Sequence, residues 1–333
     1  MLRALLFALC FAATPARAQV VAPHAIAVPS WFTQSFLDLR EDVADAAKDG
    51  KRVMLYFGQD GCPYCAALIK TNFSQPRIVA KAKKHLAAIA LNIWGDRDVT
   101  WTDGKTRREK DFAAFLKVQF TPTLVFLDEH GKVIGRLNGY YPPHRFEAVL
   151  DWVGGHMEHK VPLGEYLQSH VRDAASAALH DEPFFMRPPL DLRRGKGAKP
   201  LAVVFETPYC AGCDEMHREG FRRPEVKAQL AKFDVARLSL LDNEKIITPD
   251  GKSVPASEFA SLLKITYTPS IVFFDPRGRE VFRIEAYLRP FHLAGSLEYV
   301  SSGAYRKQPS FQRFLQAKAE RMRARGEAVE LWK

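Results

Sequence analysis

The sequence predicts an α/β protein built from two tandem copies of one fold, each a mixed central sheet flanked by helices. Three observations predict it. The second half of the 333-residue chain repeats motifs of the first half. Within each half, short apolar segments alternate with segments of helical periodicity. Each half then ends in a predicted hairpin and a helix, which is typical of a mixed sheet covered on both faces.

The internal repeat is visible in the spacing of short motifs. Cys62 and Cys210 are 148 residues apart, and matches further along the chain hold at a spacing of 147. Phe120 to Thr123, for example, matches Tyr267 to Ser270. A single change of spacing over a whole unit indicates that the second half arose by duplication of the first.

In the first copy, the pattern predicts a helix with one apolar stripe that includes Phe36, then a buried strand that ends at Gly58. A helix that starts at the cysteine pair follows, and a strand, a helix, a hairpin and a closing helix complete the unit. These predicted segments are 35–48, 52–57, 62–70, 85–92, 109–118, 123–127, 133–137 and 144–153.

The second copy has the same order, with strands predicted at 201–205, 233–240, 271–274 and 281–285. A helix predicted at 166–179 ends the first domain, which spans residues 30–180. Residues 181–199 are rich in Pro, Arg and Gly and are predicted to be a linker. The second domain spans residues 200–326, and its basic tail from 308 to 325 matches the helix at 166–179.

Residues 1–18 have the features of a secretory signal peptide: Arg3, an apolar run from 4 to 13, and a cleavage motif at Ala16 to Ala18. The run is too short to span a bilayer, which takes about 20 apolar residues. Cys10 follows the bulky Leu9, which does not fit a lipoprotein signal. We therefore expect an exported protein without stable membrane insertion.

The chain carries a formal net charge of +10, much of it in residues 193–196 and 318–325. Such runs are interpreted as solvated faces. The sequence lacks the interleaving of basic and aromatic residues, and the zinc-finger spacing, that indicate nucleic-acid binding. No nucleic-acid partner is expected.

Cysteine spacing gives the strongest functional signal. Outside the signal peptide, the chain has four cysteines: Cys62, Cys65, Cys210 and Cys213. They form two C-x-x-C pairs in a protein expected in an oxidising compartment. Structural disulfides constrain the unfolded chain most when they close long loops. These pairs would close very short loops, which indicates redox chemistry.

A cysteine at the first turn of a helix meets unpaired backbone N–H groups, which stabilise the nucleophilic thiolate. Cys62 and Cys210 are therefore predicted to attack. Cys65 and Cys213 are predicted to resolve the mixed disulfide that results. Alternatively, the two pairs could supply four thiolates to a zinc site. The strand before each pair, and the Thr-Pro about sixty residues after it, favour the redox interpretation.

The whole layout resembles the thioredoxin superfamily, in which a cis-proline packs against the cysteine pair. Segments 61–65, 91–96, 120–123 and 139–140 resemble the SoxW-type periplasmic thioredoxins, a similarity that covers residues 52–153 and, more loosely, 201–300. The resemblance implies two thioredoxin-like folds with cis bonds at Pro122 and Pro269. It further implies that Thr121 and Thr268 bind substrate through their backbone and that the two prolines shield the site.

The same resemblance implies that the protein reduces disulfides of exported proteins in the periplasm, with electrons from a membrane thiol–disulfide donor. No cofactor and no metal is expected. Two alternatives stay open: a disulfide oxidase or isomerase, because the residues between the cysteines do not fix the direction of exchange, and a dithiol protein that binds copper or zinc.

Two departures from the family pattern concern the acid–base chemistry. Gly61 and Tyr209 stand before the first cysteines, where many thioredoxins have Trp. Tyr56 and Val204 stand six residues before them, where many have a buried carboxylate. Glu206 is a candidate substitute for that carboxylate, because strand alternation places it on the same face as Val204.

Differences between the two C-x-x-C sequences predict that the sites are not equivalent. Pro63 stiffens the first turn, whereas Ala211-Gly212 leaves the second more flexible. We expect the first pair to meet substrates and the second to act as its partner or relay. His217, one turn after Cys213, is interpreted as a surface residue.

Overall fold

The computed structural model of this protein describes residues 28–171 and 174–329. The signal peptide expected at residues 1–18 lies outside the described residues. Within the described ranges, no helix is long and apolar enough to cross a membrane.

The first repeat is a four-stranded mixed sheet with helices on both faces, in the order β2 (Leu86–Asn92), β1 (Arg52–Gly58), β5 (Thr123–Leu127), β6 (Val133–Asn138). Strands β1 and β2 are parallel, whereas β5 pairs with both neighbours antiparallel. Its elements are α1 (Leu39–Lys48), β1 (Arg52–Gly58), α2 (Pro63–Ala67) continued by a π-helical turn (Leu68–Asn72), α3 (Pro76–His85), β2 (Leu86–Asn92), β3 (Asp98–Thr100), β4 (Thr106–Arg108), α4 (Glu109–Phe115), β5 (Thr123–Leu127), β6 (Val133–Asn138), α5 (Pro143–Gly154), a 3-10 turn (Met157–His159) and α6 (Leu163–His170).

The second repeat has the same sheet, with the same parallel and antiparallel pairings, in the order β8 (Asp234–Ser239), β7 (Leu201–Glu206), β11 (Ser270–Phe274), β12 (Glu280–Ile284). The prediction of two tandem mixed sheets flanked by helices is confirmed. The elements are β7 (Leu201–Glu206), α7 (Ala211–Glu215) continued by a π-helical turn (Met216–Gly220), α8 (Pro224–Leu230), β8 (Asp234–Ser239), β9 (Lys245–Ile247), β10 (Ser253–Pro255), α9 (Ala256–Leu262), β11 (Ser270–Phe274), β12 (Glu280–Ile284), α10 (Pro290–Ser301), a 3-10 turn (Ala304–Arg306) and α11 (Phe311–Ala324).

The central strands β1 and β7 are fully buried along their whole length. They read as continuous apolar runs because helices cover both faces of the sheet. In the first repeat, Phe126 and Trp152 lie in the core on one face, and Phe57 and Phe112 lie on the other.

Residues 181–199, predicted to be a linker, pack against the second sheet. Phe185 is buried and bridges to Val235 beside β8. Leu192 is fully buried, and its N–H donates to the carbonyl of Ile247. The segment therefore covers the second sheet in the way that residues 29–38 cover the first.

The helix predicted at 35–48 begins four residues later because Asp38 caps it, accepting a hydrogen bond from the N–H of Arg40. Phe36, assigned to its apolar stripe, lies outside the helix and is fully exposed. The helix predicted at 166–179 spans Leu163–His170, whereas its counterpart in the basic tail is almost twice as long, 14 residues against 8.

The two repeats pack together about a pseudo-twofold axis. Asn138 donates a side-chain hydrogen bond to Glu285, the residue at the same position 147 residues later. Phe120 of the first repeat is buried in the core of the second, and its counterpart Tyr267 is buried in the core of the first. Such reciprocal contacts define an isologous interface, here formed within one chain.

Candidate functional site

The first cysteine pair lies where β1 leads into α2. Cys62 caps the helix, and its Sγ accepts a hydrogen bond of 3.1 Å from the N–H of Cys65. The two residues form a disulfide with Cα atoms 5.2 Å apart, within the usual range. Cys65 is fully buried, and Cys62 is 4% exposed. On reduction, the same N–H would stabilise a Cys62 thiolate, while burial keeps Cys65 from solvent.

The Thr-Pro loop of the first repeat lies against this pair. The hydroxyl Oγ1 and the carbonyl oxygen of Thr121 are each 3.3 Å from Cys62 Sγ. The Thr121–Pro122 and Thr268–Pro269 bonds are both cis, as predicted. The structure therefore brings together the predicted cysteine and loop residues of this site. The substrate-binding roles of Thr121 and Pro122 stay predictions.

The second pair repeats the geometry. Cys210 caps α7, and its Sγ accepts the N–H of Cys213 at 3.1 Å. They also form a disulfide with Cα atoms 5.2 Å apart. A Cβ atom on Gly212 would lie 3.0 Å from Pro269, so the proline packs directly on the turn between the cysteines. The hydroxyl groups of Thr268 and Thr207 are 3.0 Å apart. The roles of Thr268 and Pro269 in substrate binding also stay predictions.

A buried charge cluster lies beside the second pair. His217, interpreted from the sequence as a surface residue, is 2% exposed, so that interpretation is wrong. Its Nε2 lies 2.7 Å from Glu206 and its Nδ1 lies 3.0 Å from Glu182. Within the described part of the chain, the second carboxylate oxygen of Glu206 has no hydrogen-bond partner. Two features of the sequence could have indicated this cluster: Glu206 is a carboxylate at the end of a buried strand, and His217 follows Cys213 by one helical turn.

Electrostatics in this cluster favour a charged histidine. Burial alone would lower the pKa of His217, but the hydrogen bonds and charges of Glu206 and Glu182 outweigh it and raise that pKa. His180 stacks on His217 at 4.5 Å between ring centroids and lies 2.7 Å from Asp214. A chain of titratable groups therefore runs from the buried strand end toward the surface.

The first site has no equivalent cluster. Gly58 and Ile69 occupy the positions of Glu206 and His217. Tyr56, at the usual place of the buried carboxylate, is itself buried, and burial raises the pKa of its hydroxyl. The two sites therefore differ in acid–base chemistry. Across residues 28–171 and 174–329, no three His, Cys, Asp or Glu side chains are grouped so that they could hold a metal ion.

Residues of the second repeat surround the first cysteine pair. The hydroxyl of Tyr64, which lies between the cysteines, accepts a hydrogen bond of 2.9 Å from the N–H of Arg289. The ring of Tyr64 packs edge-on against His292. The Arg289 guanidinium pairs with Glu215, on helix α7 that Cys210 caps, at 2.8 Å. Arg289 thus connects helices α2 and α7, which begin at the two cysteine pairs.

Each site borders a cavity between the repeats. Cys62 lies in the wall of a cavity of about 500 Å³ that α10 and α11 of the second repeat close. A cavity of about 460 Å³ lies beside the second site, between Thr207, Tyr209 and Thr268 on one side and helix α6 on the other. The pseudo-twofold axis thus places each site against a helix of the other repeat.

Two cysteine pairs of this geometry, each on a mixed sheet with a neighbouring Thr-Pro loop, support a thiol–disulfide oxidoreductase. Comparison with known families agrees with this class. A sequence model described as "Thioredoxin-like domain" matches the chain twice, at residues 39–154 and 190–301, which together make up more than half of it. The chain therefore belongs to the thioredoxin-like domain family, with two domains in tandem. A search of the curated proteins found no match.

Solved structures of similar proteins each cover less than two fifths of this chain. A thioredoxin-fold protein from Helicobacter pylori is 26% identical, with 39% of this chain and 91% of that chain covered and a TM-score of 0.32. DsbH oxidoreductase is 18% identical, with 39% and 92% covered and a TM-score of 0.28. The periplasmic thioredoxin SoxS from Paracoccus pantotrophus is 22% identical, with 32% and 97% covered and a TM-score of 0.23.

Proposed function

We propose that this protein is a periplasmic thiol–disulfide oxidoreductase that reduces disulfides of exported proteins through two C-x-x-C sites. The observation that carries the proposal is the repeated geometry of the pairs. In each, the first cysteine caps a helix, and its Sγ accepts the backbone N–H of the second. That donor stabilises a thiolate, which is the species that attacks a disulfide.

The reaction has two steps. The thiolate of Cys62 or Cys210 attacks a substrate disulfide and forms a mixed disulfide, releasing one substrate thiol. Cys65 or Cys213 then attacks the first cysteine and releases the second substrate thiol, and the pair closes as a disulfide. Two electrons pass from the protein dithiol to the substrate. A membrane thiol–disulfide donor restores the dithiol.

An insulin-reduction assay on the chain without residues 1–18 tests the activity, with dithiothreitol as the reductant. We expect catalysis by the wild type, and by the C62S/C65S and C210S/C213S variants at lower rates. The variant without all four cysteines should be inactive. Equal turbidity rates with and without the wild-type protein would contradict the proposal.

The direction of exchange is tested by equilibration of each variant with glutathione buffers. A reductase should have potentials nearer to about −270 mV, as in thioredoxin, than to about −120 mV, as in a strongly oxidising protein. Potentials near the second value would support the oxidase alternative. Fractionation of cells that express the full chain tests the location, and recovery of the protein only with the cytoplasm would contradict it.

A further inference from the structure

The surroundings of Cys62 differ from an open protein-binding groove. The main chain just before Thr121 is already occupied by the second repeat. The Gln119 carbonyl accepts a hydrogen bond of 3.0 Å from the Gln312 side chain, and the Gln119 side chain accepts the N–H of Phe311 at 3.2 Å. While α11 is in place, these two groups of Gln119 are not available to a substrate strand that pairs next to Thr121.

Helix α11 also holds the rim of the cavity. The Trp94 indole donates a 2.6 Å hydrogen bond to Gln59, and the Arg313 guanidinium lies 4.9 Å from the centre of a Trp94 ring. At the second site, Leu241 takes the place of Trp94 and is 64% exposed, and Tyr209 is 48% exposed. The helix beside that site is the shorter α6. Cys210 itself is 2% exposed against 4% for Cys62, but the rim of the second site therefore presents more exposed apolar surface to a large partner.

The lining of the first cavity matches a small zwitterionic molecule with amide groups. Aromatic rings and amide side chains make up much of it. Its charged lining groups are Asp60 and Arg323, of opposite sign. His292 adds no charge, because burial lowers its pKa to about 4. A volume of about 500 Å³ is typical of small-molecule sites.

From these features we infer that the first site prefers low-molecular-weight amino-acid or peptide disulfides, which the interdomain cavity can hold, whereas the second site prefers protein disulfides. The inference rests on the proposed function and names the substrate class of one site. Asp60 and Arg323, both exposed at the cavity lining, offer opposite charges to the amino and carboxylate groups of such a compound, and the amide side chains are suited to its peptide bonds.

The chemistry balances without another reactant. The Cys62 thiolate attacks one sulfur of the small disulfide, and the other sulfur leaves as a thiolate. The Cys65 thiolate then attacks Cys62 and releases the second small thiol. The substrate gains two electrons and the Cys62–Cys65 pair loses them. A dithiol donor reduces the pair again.

The test compares C210S/C213S, which keeps the first pair, with C62S/C65S, which keeps the second. Each is reduced, freed of reductant and mixed with glutathione disulfide or insulin, and its rate of oxidation is measured. The ratio of the glutathione disulfide rate to the insulin rate should be at least about tenfold higher for the first pair. Equal ratios would overturn the inference while leaving the proposed function intact. A lack of exchange in both variants would overturn the two proposals together.

Further changes in the C210S/C213S background test the cavity itself. Arg323→Glu should slow oxidation by glutathione disulfide by about tenfold, because it reverses the charge that meets a carboxylate. Oxidation by the uncharged 2-hydroxyethyl disulfide should slow much less, because that compound has no carboxylate. Arg321→Glu, on the same helix but outside the lining, is the matched control. Equal effects of the two changes would overturn the assignment of Arg323. Gln316→Trp should slow oxidation by glutathione disulfide, because the larger side chain narrows the cavity. An unchanged rate of oxidation would overturn the assignment of the site to this cavity.

Discussion

Phe120 and Tyr267 hold the same position in the two repeats, and each is buried in the core of the other repeat. Phe120 packs against Phe282 and Phe311 at 5.7 and 5.4 Å between ring centroids. Tyr267 packs against Tyr141 at 4.5 Å. Each repeat therefore completes the core of its neighbour.

Replacement of Phe120 by Ala tests this exchange. We expect the free energy of unfolding of the full chain to fall by about 3–5 kcal/mol, because the change leaves a cavity in the second core. Denaturant unfolding measures it. Phe115→Ala is the control, since that ring is 46% exposed, and it should cost less than about 1 kcal/mol. Equal losses would show that the exchanged ring does not stabilise the pair of repeats.

Trapping experiments test the roles of the cysteines. In Cys65→Ala and Cys213→Ala, mixed disulfides with substrate should accumulate on Cys62 and Cys210, because the resolving thiol is missing. Peptide mapping by mass spectrometry locates them. The reciprocal variants, Cys62→Ala and Cys210→Ala, should trap little substrate. Adducts found only on Cys65 or Cys213 would reverse the assignment.

Replacement of Glu206 by Gln should lower the pKa of His217. Burial lowers this pKa, and the negative charges of Glu206 and Glu182 raise it. In the variant, Glu182 is the one remaining carboxylate of the two that raises it. NMR titration of the imidazole measures the change. Glu244→Gln, at an exposed position, is the charge-matched control and should leave the titration unchanged. If the pKa of His217 is equal in the two variants, Glu206 does not stabilise the protonated form of His217.

The raised pKa of His217 also predicts how stability depends on pH. Between the ordinary value, about 6.5, and the folded value, only the folded protein keeps this proton. The contribution of His217 is thus complete below about pH 6.5 and is lost as pH rises through the folded pKa. Denaturant unfolding at several pH values measures how much of the free energy of unfolding is lost as pH rises. This loss should be smaller in Glu206→Gln than in the wild type. If the wild type and the variant lose the same free energy of unfolding, the pH dependence arises from a group other than His217.

Gly164 lies where helix α6 meets the second repeat. A Cβ atom there would clash with the backbone of Thr266, so Gly164→Ala must push the repeats apart. We expect a loss of about 1–3 kcal/mol in unfolding free energy and a changed rate at the second cysteine pair, whose cavity Gly164 borders. Gly195→Ala is the control, because a Cβ there meets open space. Equal stability of the two variants would contradict the close approach.

The sequence predicts the fold well because the repeat and the alternation of apolar segments are local patterns. The central strands end within a residue or two of the prediction. The hairpins β3–β4 and β9–β10 were not predicted, since three-residue strands are too short to show periodicity. Helices α3 and α8 were also missed, although Pro76 and Pro224 stand at their first positions.

The chemistry of the site was only partly predictable. Cys62, Cys210 and the Thr-Pro loops are recognisable because their spacing along the chain is fixed. His217 was not, because its environment depends on Glu182, which comes from the segment interpreted as a linker. The interface between the repeats could not be predicted for a related reason. The apolar character of Phe120 predicts that its side chain is buried, but it does not indicate which of the two repeats buries it.

The exchange of Phe120 and Tyr267 constrains how this protein can evolve. After a duplication, two copies can ordinarily diverge independently, and either can be lost. Here each copy carries one aromatic side chain that the other copy needs, so a substitution at one position is selected by residues encoded in the other half of the gene. The two halves are inherited as a single unit, and compensating changes should appear across the repeat boundary, in pairs.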